Sequence, residues 1–153
     1  MTLDPEAARE ALAAQPTPKI TLATLADATE QQVFDQAARH LLTQKVRSVR
    51  LQPDGDNTPI YCAYRGDGGL MCAAGCFIGD DEYDERFEGT NWYEVAARNG
   101  YHAHTELMAQ LQDAHDRGMR ELDDLMSVLP SRLHAIARNF NLSHAIVDEM
   151  CNG

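Results

Sequence analysis

The chain has 153 residues, 44% hydrophobic and 24% charged, with 24 acidic against 13 basic side chains and a formal net charge of −11. That length fits one compact domain able to bury a core, the composition is not that of a disordered chain, and no apolar run approaches the ~18 residues of a membrane helix. So acidic a surface repels phosphate backbones, which argues against direct nucleic-acid binding, and is drawn instead to basic surface on a partner.

"DPEAAREALAAQ" reads as a first helix, with Asp4 as N-cap and Pro5 at the first helical position. "PTPK" then breaks the chain, so residues 1–18 form an N-terminal helix and linker and residues 19–153 a single globular domain. Thr29 and Gln32 make a capping-box pattern. Val33, Phe34, Ala37, Ala38, Leu41 and Leu42 follow at helical spacing, and the helix ends near Gln44. "RSVRLQ" alternates as a strand does, "PDGDNTP" is a loop, and "IYCAYR" reads as a second strand pairing antiparallel with the first. After the turn "GDGG", the stretch "LMCAAGCFI" has the length of a third strand. It leans toward a short helix, because β-branched residues are nearly absent. "TNWYEVAARNG" is a helix capped by Thr90 or Asn91 and stopped by Gly100. Leu107, Met108, Leu111, Ala114 and His115 mark another, ending at Gly118. "RELDDLMSVL" closes at Pro130, and Ser131 opens a further helix over "RLHAIARNFN". Ser143 caps the last turn. The expected class is α+β: a helix-rich single domain with a small two- or three-stranded antiparallel sheet.

Cys62, Cys72 and Cys76 fall within fifteen residues of one another. With His102 they are a candidate metal set, since Cys72 and Cys76 stand four apart and share a helical face. A second cysteine knuckle is missing, and buried cysteine packs as a small hydrophobe, so core thiols are the plainer reading and no metal or other cofactor is expected. A cysteine nucleophile at Cys72 or Cys76 needs a base such as His40, His102 or His104. No signature surrounds those histidines, and the balance leans away from an enzyme. The acidic run Asp80, Asp81, Glu82, Asp84, Glu85 and Glu88 lacks calcium-loop spacing. Together with Tyr83 and Phe87 it reads either as a solvated face or as a partner-binding patch. Arg47 and Arg65, with Gly68 and Gly69 in a turn of backbone amides, form a candidate anion site for a nucleotide. It lacks G-K-[ST] and is therefore not a P-loop. The start "MTLDPEAARE" has no apolar signal region and the cysteines suit a reducing compartment, so a cytoplasmic protein is expected. The C-terminal apolar stripes offer a homodimer face.

The central pattern C-x-Y-R-G-x-x-G-L-x-C-A-A-G-C-x-I-x-D-D-x-Y, followed by F-E-G, resembles a family of small uncharacterised proteins encoded by bacteriophages and other bacterial mobile elements. "TLADATEQQVFDQAARHLLTQ" and "ELMAQLQDAHD" are also similar to it, and the likeness runs from Ile20 to Phe140. The loop "QPDGDNTP" and the N-terminal helix depart from that pattern. The resemblance implies an origin, not a chemistry. With the acidity, it leads to the expectation of a non-enzymatic phage-type inhibitor, anti-CRISPR proteins being one such class. It would bind a bacterial host or defence protein through basic surface on that partner, in the host cytoplasm. The alternatives are a binder that sequesters a nucleotide signal and a cysteine-dependent enzyme.

Overall fold

The structure is a computed structural model that describes residues 19–51, 60–118 and 124–152. The expected N-terminal helix and linker, the loop over 53–59 and the start of "RELDDLMSVL" lie outside these residues. Five α-helices are described: α1 (Glu30–Gln44), α2 (Trp92–Asn99), α3 (Thr105–Asp116), α4 (Leu125–Asn139) and α5 (Ala145–Asn152), with single turns of 3₁₀-helix before α1 and between α1 and α2. None is long and apolar enough to cross a membrane.

α1 is the hub. The Thr29 side chain accepts from the Gln32 N–H at 3.1 Å, and Gln32 Oε1 accepts from the Thr29 N–H at 2.9 Å, the reciprocal box expected from the sequence. Lys45, with φ of 68°, ends the helix in the left-handed region. Val33, Phe34, Ala37, Ala38, Leu41 and Leu42 form one buried stripe, and α1 packs against α3, α4 and α5. Each fully buried Leu or Phe there stabilises by about 1.5–3 kcal/mol. α2 begins at Asn91, which accepts from the Glu94 N–H, ends at Gly100 and buries Trp92.

Two helical expectations change. Pro130 does not close a segment: α4 runs through it. Leu125, Leu129, Leu133, Ile136 and Ala137 make one continuous buried stripe, and a proline in the second turn forfeits only the bond its N–H would make to Met126. Ser131 does not open a new helix; its hydroxyl donates to the Val128 carbonyl at 3.1 Å. "LMCAAGCFI" is neither strand nor α-helix. It turns into a single 3₁₀ turn, Gly75–Phe77, closed by the Ile78 N–H on the Gly75 carbonyl, and the Arg65 guanidinium also donates to the Gly75 and Ile78 carbonyls.

The α+β class is overturned: the described chain is helical and has no sheet layer. All that remains of the expected sheet is two residues against two, Val49 opposite Tyr61 and Arg50 opposite Ile60. Side chains end the ladder where strands would have extended it. The Ser48 N–H donates to His115 Nε2 at 3.0 Å and the Leu51 N–H to Asp67 Oδ2 at 2.9 Å. Cys62 then turns into the left-handed region, with φ of 59°, which a strand does not tolerate.

A half-buried edge of α1 pins neighbouring backbone. Gln36 exchanges hydrogen bonds with both backbone groups of Ile20, and Gln44 with both of Met71. His40 Nε2 also donates to the Met71 carbonyl, at 2.9 Å. Burial lowers the His40 pKa below 6.5, outweighing that bond to Met71. The unfolded chain therefore binds more protons than the folded one below pH 6.5, and stability present above that value is lost as the pH falls through it. Urea denaturation at neutral and mildly acidic pH checks this. His40→Gln, which keeps a donor for Met71 but does not titrate, shows a smaller acid-induced fall in midpoint than the wild type; an unchanged fall rules His40 out as its source.

Candidate functional site

The acidic run folds in on itself. Glu82 closes a turn on Gly79, and its carboxylate accepts three backbone N–H groups: Gly79 at 2.8 Å, Leu22 at 3.1 Å and Ala23 at 2.8 Å. Glu88 accepts the N–H groups of Tyr64 at 2.9 Å and Arg65 at 3.1 Å, and the Tyr83 hydroxyl at 2.5 Å. Burial, and then that bond to Glu88, pushes the Tyr83 hydroxyl far above the ordinary phenol range. Phe87 is buried, edge-on to Tyr64 and Tyr83 with ring centroids 6.3 and 6.2 Å away. Asp84 caps the Glu85–Phe87 turn and pairs with Arg86, whose hydrogen bond brings the carboxyl down to about 2. Glu85 takes both ends of the Arg50 guanidinium, at 3.1 and 2.7 Å, which lowers its pKa. Of the eight residues expected to bind a partner, Glu82, Tyr83, Phe87 and Glu88 therefore serve the fold. Asp84 and Glu85 are paired at the surface, and Asp80 and Asp81 are exposed. A shallow groove beside the run is lined by Phe87, Thr90, Val95 and Arg98 among others.

The candidate anion site is also turned inward. Arg65 donates to the Gly75 carbonyl at 3.0 Å and the Ile78 carbonyl at 2.5 Å, and lies over the Tyr83 ring, 5.1 Å from its centroid. Its contact with Asp80, at 3.3 Å, reaches a carboxylate that is fully exposed. Gly75 has to be glycine, because a Cβ there would lie 2.4 Å from the Tyr64 carbonyl oxygen. Arg47 donates to the carbonyls of His115 and Arg117 at 2.8 and 2.6 Å, and Arg132 to those of Ala114 and Arg117 at 3.2 and 2.8 Å. Between them they satisfy carbonyls that the end of α3 leaves open. Gly68 and Gly69 sit in an exposed turn with positive φ.

The thiols expected at the centre are core. Cys72 and Cys76 are buried; the Cys76 thiol donates to the Ala73 carbonyl and the Gly75 N–H donates to Cys72 Sγ. Burial pushes Cys76 up to about 12 and Cys72 further, which opposes thiolate formation. Among the described residues Cys62, Cys72, Cys76 and His102 do not converge; Cys62 groups instead with His115 and Asp116. That trio was missed in the sequence, where His115 reads as one more member of an apolar stripe. His115 Nδ1 lies 2.6 Å from Asp116, and Nε2 accepts from the Ser48 N–H. The ring is thereby fixed with its proton on Nδ1, and the lone pair that would take a thiol proton is already used. Burial, reinforced by Asp116, raises the Cys62 thiol far above the ordinary range. This is a half-buried polar cluster, not an activated nucleophile. Of the expected bases His40, His102 and His104, the first and last donate to the carbonyls of Met71 and Ala28.

No protein-family model matches the chain, and neither a curated protein nor a solved structure matches it.

Glu88 is the side chain on which the segment depends most. Glu88→Ala strands the N–H groups of Tyr64 and Arg65 and is expected to cost about 2–3 kcal/mol in urea denaturation. Glu88→Gln, retaining one acceptor, falls between it and the wild type. Glu85→Ala, at an exposed pair, costs less than either. Equal losses for Glu85→Ala and Glu88→Ala contradict this hierarchy.

Proposed function

We infer that the chain is a non-enzymatic, acidic binding protein of phage or mobile-element type. It docks on basic surface of a bacterial host or defence protein and blocks that surface sterically. The observation that carries this reading is the outward placement of Asp80 and Asp81. Arg47, Arg65 and Arg132 spend their guanidinium groups on backbone carbonyls, while Asp80 and Asp81 stand outside on a segment held from within by Glu82 and Glu88. Across the full sequence acids outnumber bases 24 to 13. A fixed backbone presents Asp80 and Asp81 with little ordering cost on binding. The inward arginines remove the support that a nucleotide-binding reading would need, and the raised thiols do the same for a cysteine enzyme.

Capture from lysate of a bacterial host tests the proposal, with the captured protein then purified and rebound. Capture strong at low salt and weak at high salt is expected, since exposed charge is screened. Asp81→Lys weakens rebinding, whereas Glu149→Lys, the same charge change at an exposed position on α5, leaves it nearly intact. Glu82 is excluded as a probe, because reversing it would break the fold. Salt-insensitive capture, or equal effects of the two reversals, would overturn the acidic-face mechanism.

A further inference from the structure

We propose that His134, His144 and Asp148 form a divalent transition-metal site of the zinc class that staples α5 to α4. His134 lies on α4, His144 immediately precedes α5, and Asp148 lies one turn further along it. The Asp148 carboxylate joins the two rings: Oδ1 is 2.9 Å from His134 Nε2 and Oδ2 is 2.8 Å from His144 Nδ1. The ring centroids are 4.5 Å apart, and one ligand atom from each residue lies within 4.8 Å of the other two. Tetrahedral zinc, with bonds of 2.0–2.2 Å to nitrogen and oxygen, separates its ligands by about 3.3 Å. An ion therefore enters with an expansion of about half an ångström at the two carboxylate–imidazole contacts. Two imidazoles and one carboxylate are donors that suit zinc and its neighbours better than calcium or magnesium.

Proton placement separates this cluster from the Cys62–His115–Asp116 trio. To ligate through the nitrogen now facing the carboxylate, each neutral imidazole moves its proton to its other nitrogen. For His115 that other nitrogen already accepts the Ser48 N–H, and a proton placed there would oppose it. His134 and His144 are 34% and 47% exposed, so water serves the displaced protons and a fourth coordination position. The site is also held in advance. Gln31 on α1 exchanges hydrogen bonds with both backbone groups of Ser143, at 2.8 and 3.0 Å, which fixes the residue before His144. Val147, buried one position from Asp148, seats α5. The net charge of −11 adds a favourable field for a cation.

The test is zinc chloride titration into the full chain after chelator treatment, followed by calorimetry and by thermal melting. One zinc per chain and a raised Tm are expected, because an ion bound only to the folded state stabilises it. His134→Gln and Asp148→Asn, close in shape to the native residues and checked for native circular dichroism, each weaken binding by at least about tenfold, the penalty that even an outer-shell partner carries. Cys151→Ser, at the exposed thiol of α5, retains it. Absence of saturable zinc uptake, affinity unchanged in both His134→Gln and Asp148→Asn, or loss of binding in Cys151→Ser overturns the site.

Discussion

Backbone N–H groups that neither helix nor sheet satisfies must find acceptors elsewhere or carry a desolvation penalty. Here Glu82 and Glu88 supply those acceptors. Glu82 gathers Leu22, Ala23 and Gly79, joining the segment before α1 to the loop after the cysteine turn. Glu88 gathers Tyr64 and Arg65 together with the Tyr83 hydroxyl. The irregular chain from Ala63 to Thr90 lacks a sheet to organise it, and these two carboxylates are its substitute. Charge-assisted bonds of this kind are stronger than neutral ones.

The arginines mirror that arrangement. Arg65 holds the carbonyls of the Gly75–Ile78 turn, and Arg47 and Arg132 hold those at the end of α3. Acids on amides and arginines on carbonyls together knit the irregular half of the protein to the helical half. The proposed docking face is therefore a by-product of how the fold is held: the same carboxylate run that looks outward at Asp80 and Asp81 is fastened from inside at Glu82 and Glu88.

Helices were legible because their signals are local. The Thr29–Gln32 box, the stripe from Val33 to Leu42, and the Asn91 and Gly100 ends of α2 depend on residues three to five apart. Pro130 misled for the opposite reason: a long buried stripe packed on α1 and α3 outweighs one lost hydrogen bond. The strands were over-read because Val49 and Leu51 alternate with polar neighbours, a pattern that does not reveal what their amides bind. His115 and Asp67 end the ladder, and Leu51 is 67% exposed rather than facing a core. The acidic run was legible as charge but not as architecture, since the amides it binds lie as many as 60 residues away. The His144–Asp148 spacing is readable on one helix, whereas His134 arrives from another and no local pattern announces it.

Amide hydrogen exchange at Leu22, Tyr64 and Arg65 tests most directly the claim that two carboxylates replace a sheet. None of the three amides lies in a helix or paired strand, so protection there must come from Glu82 and Glu88. All three are expected to exchange far more slowly than unstructured amides, and Tyr64 and Arg65 are expected to lose that protection selectively in Glu88→Ala, which removes both acceptor oxygens. Exchange at unprotected rates in the wild type, or protection unchanged by Glu88→Ala, would contradict that claim.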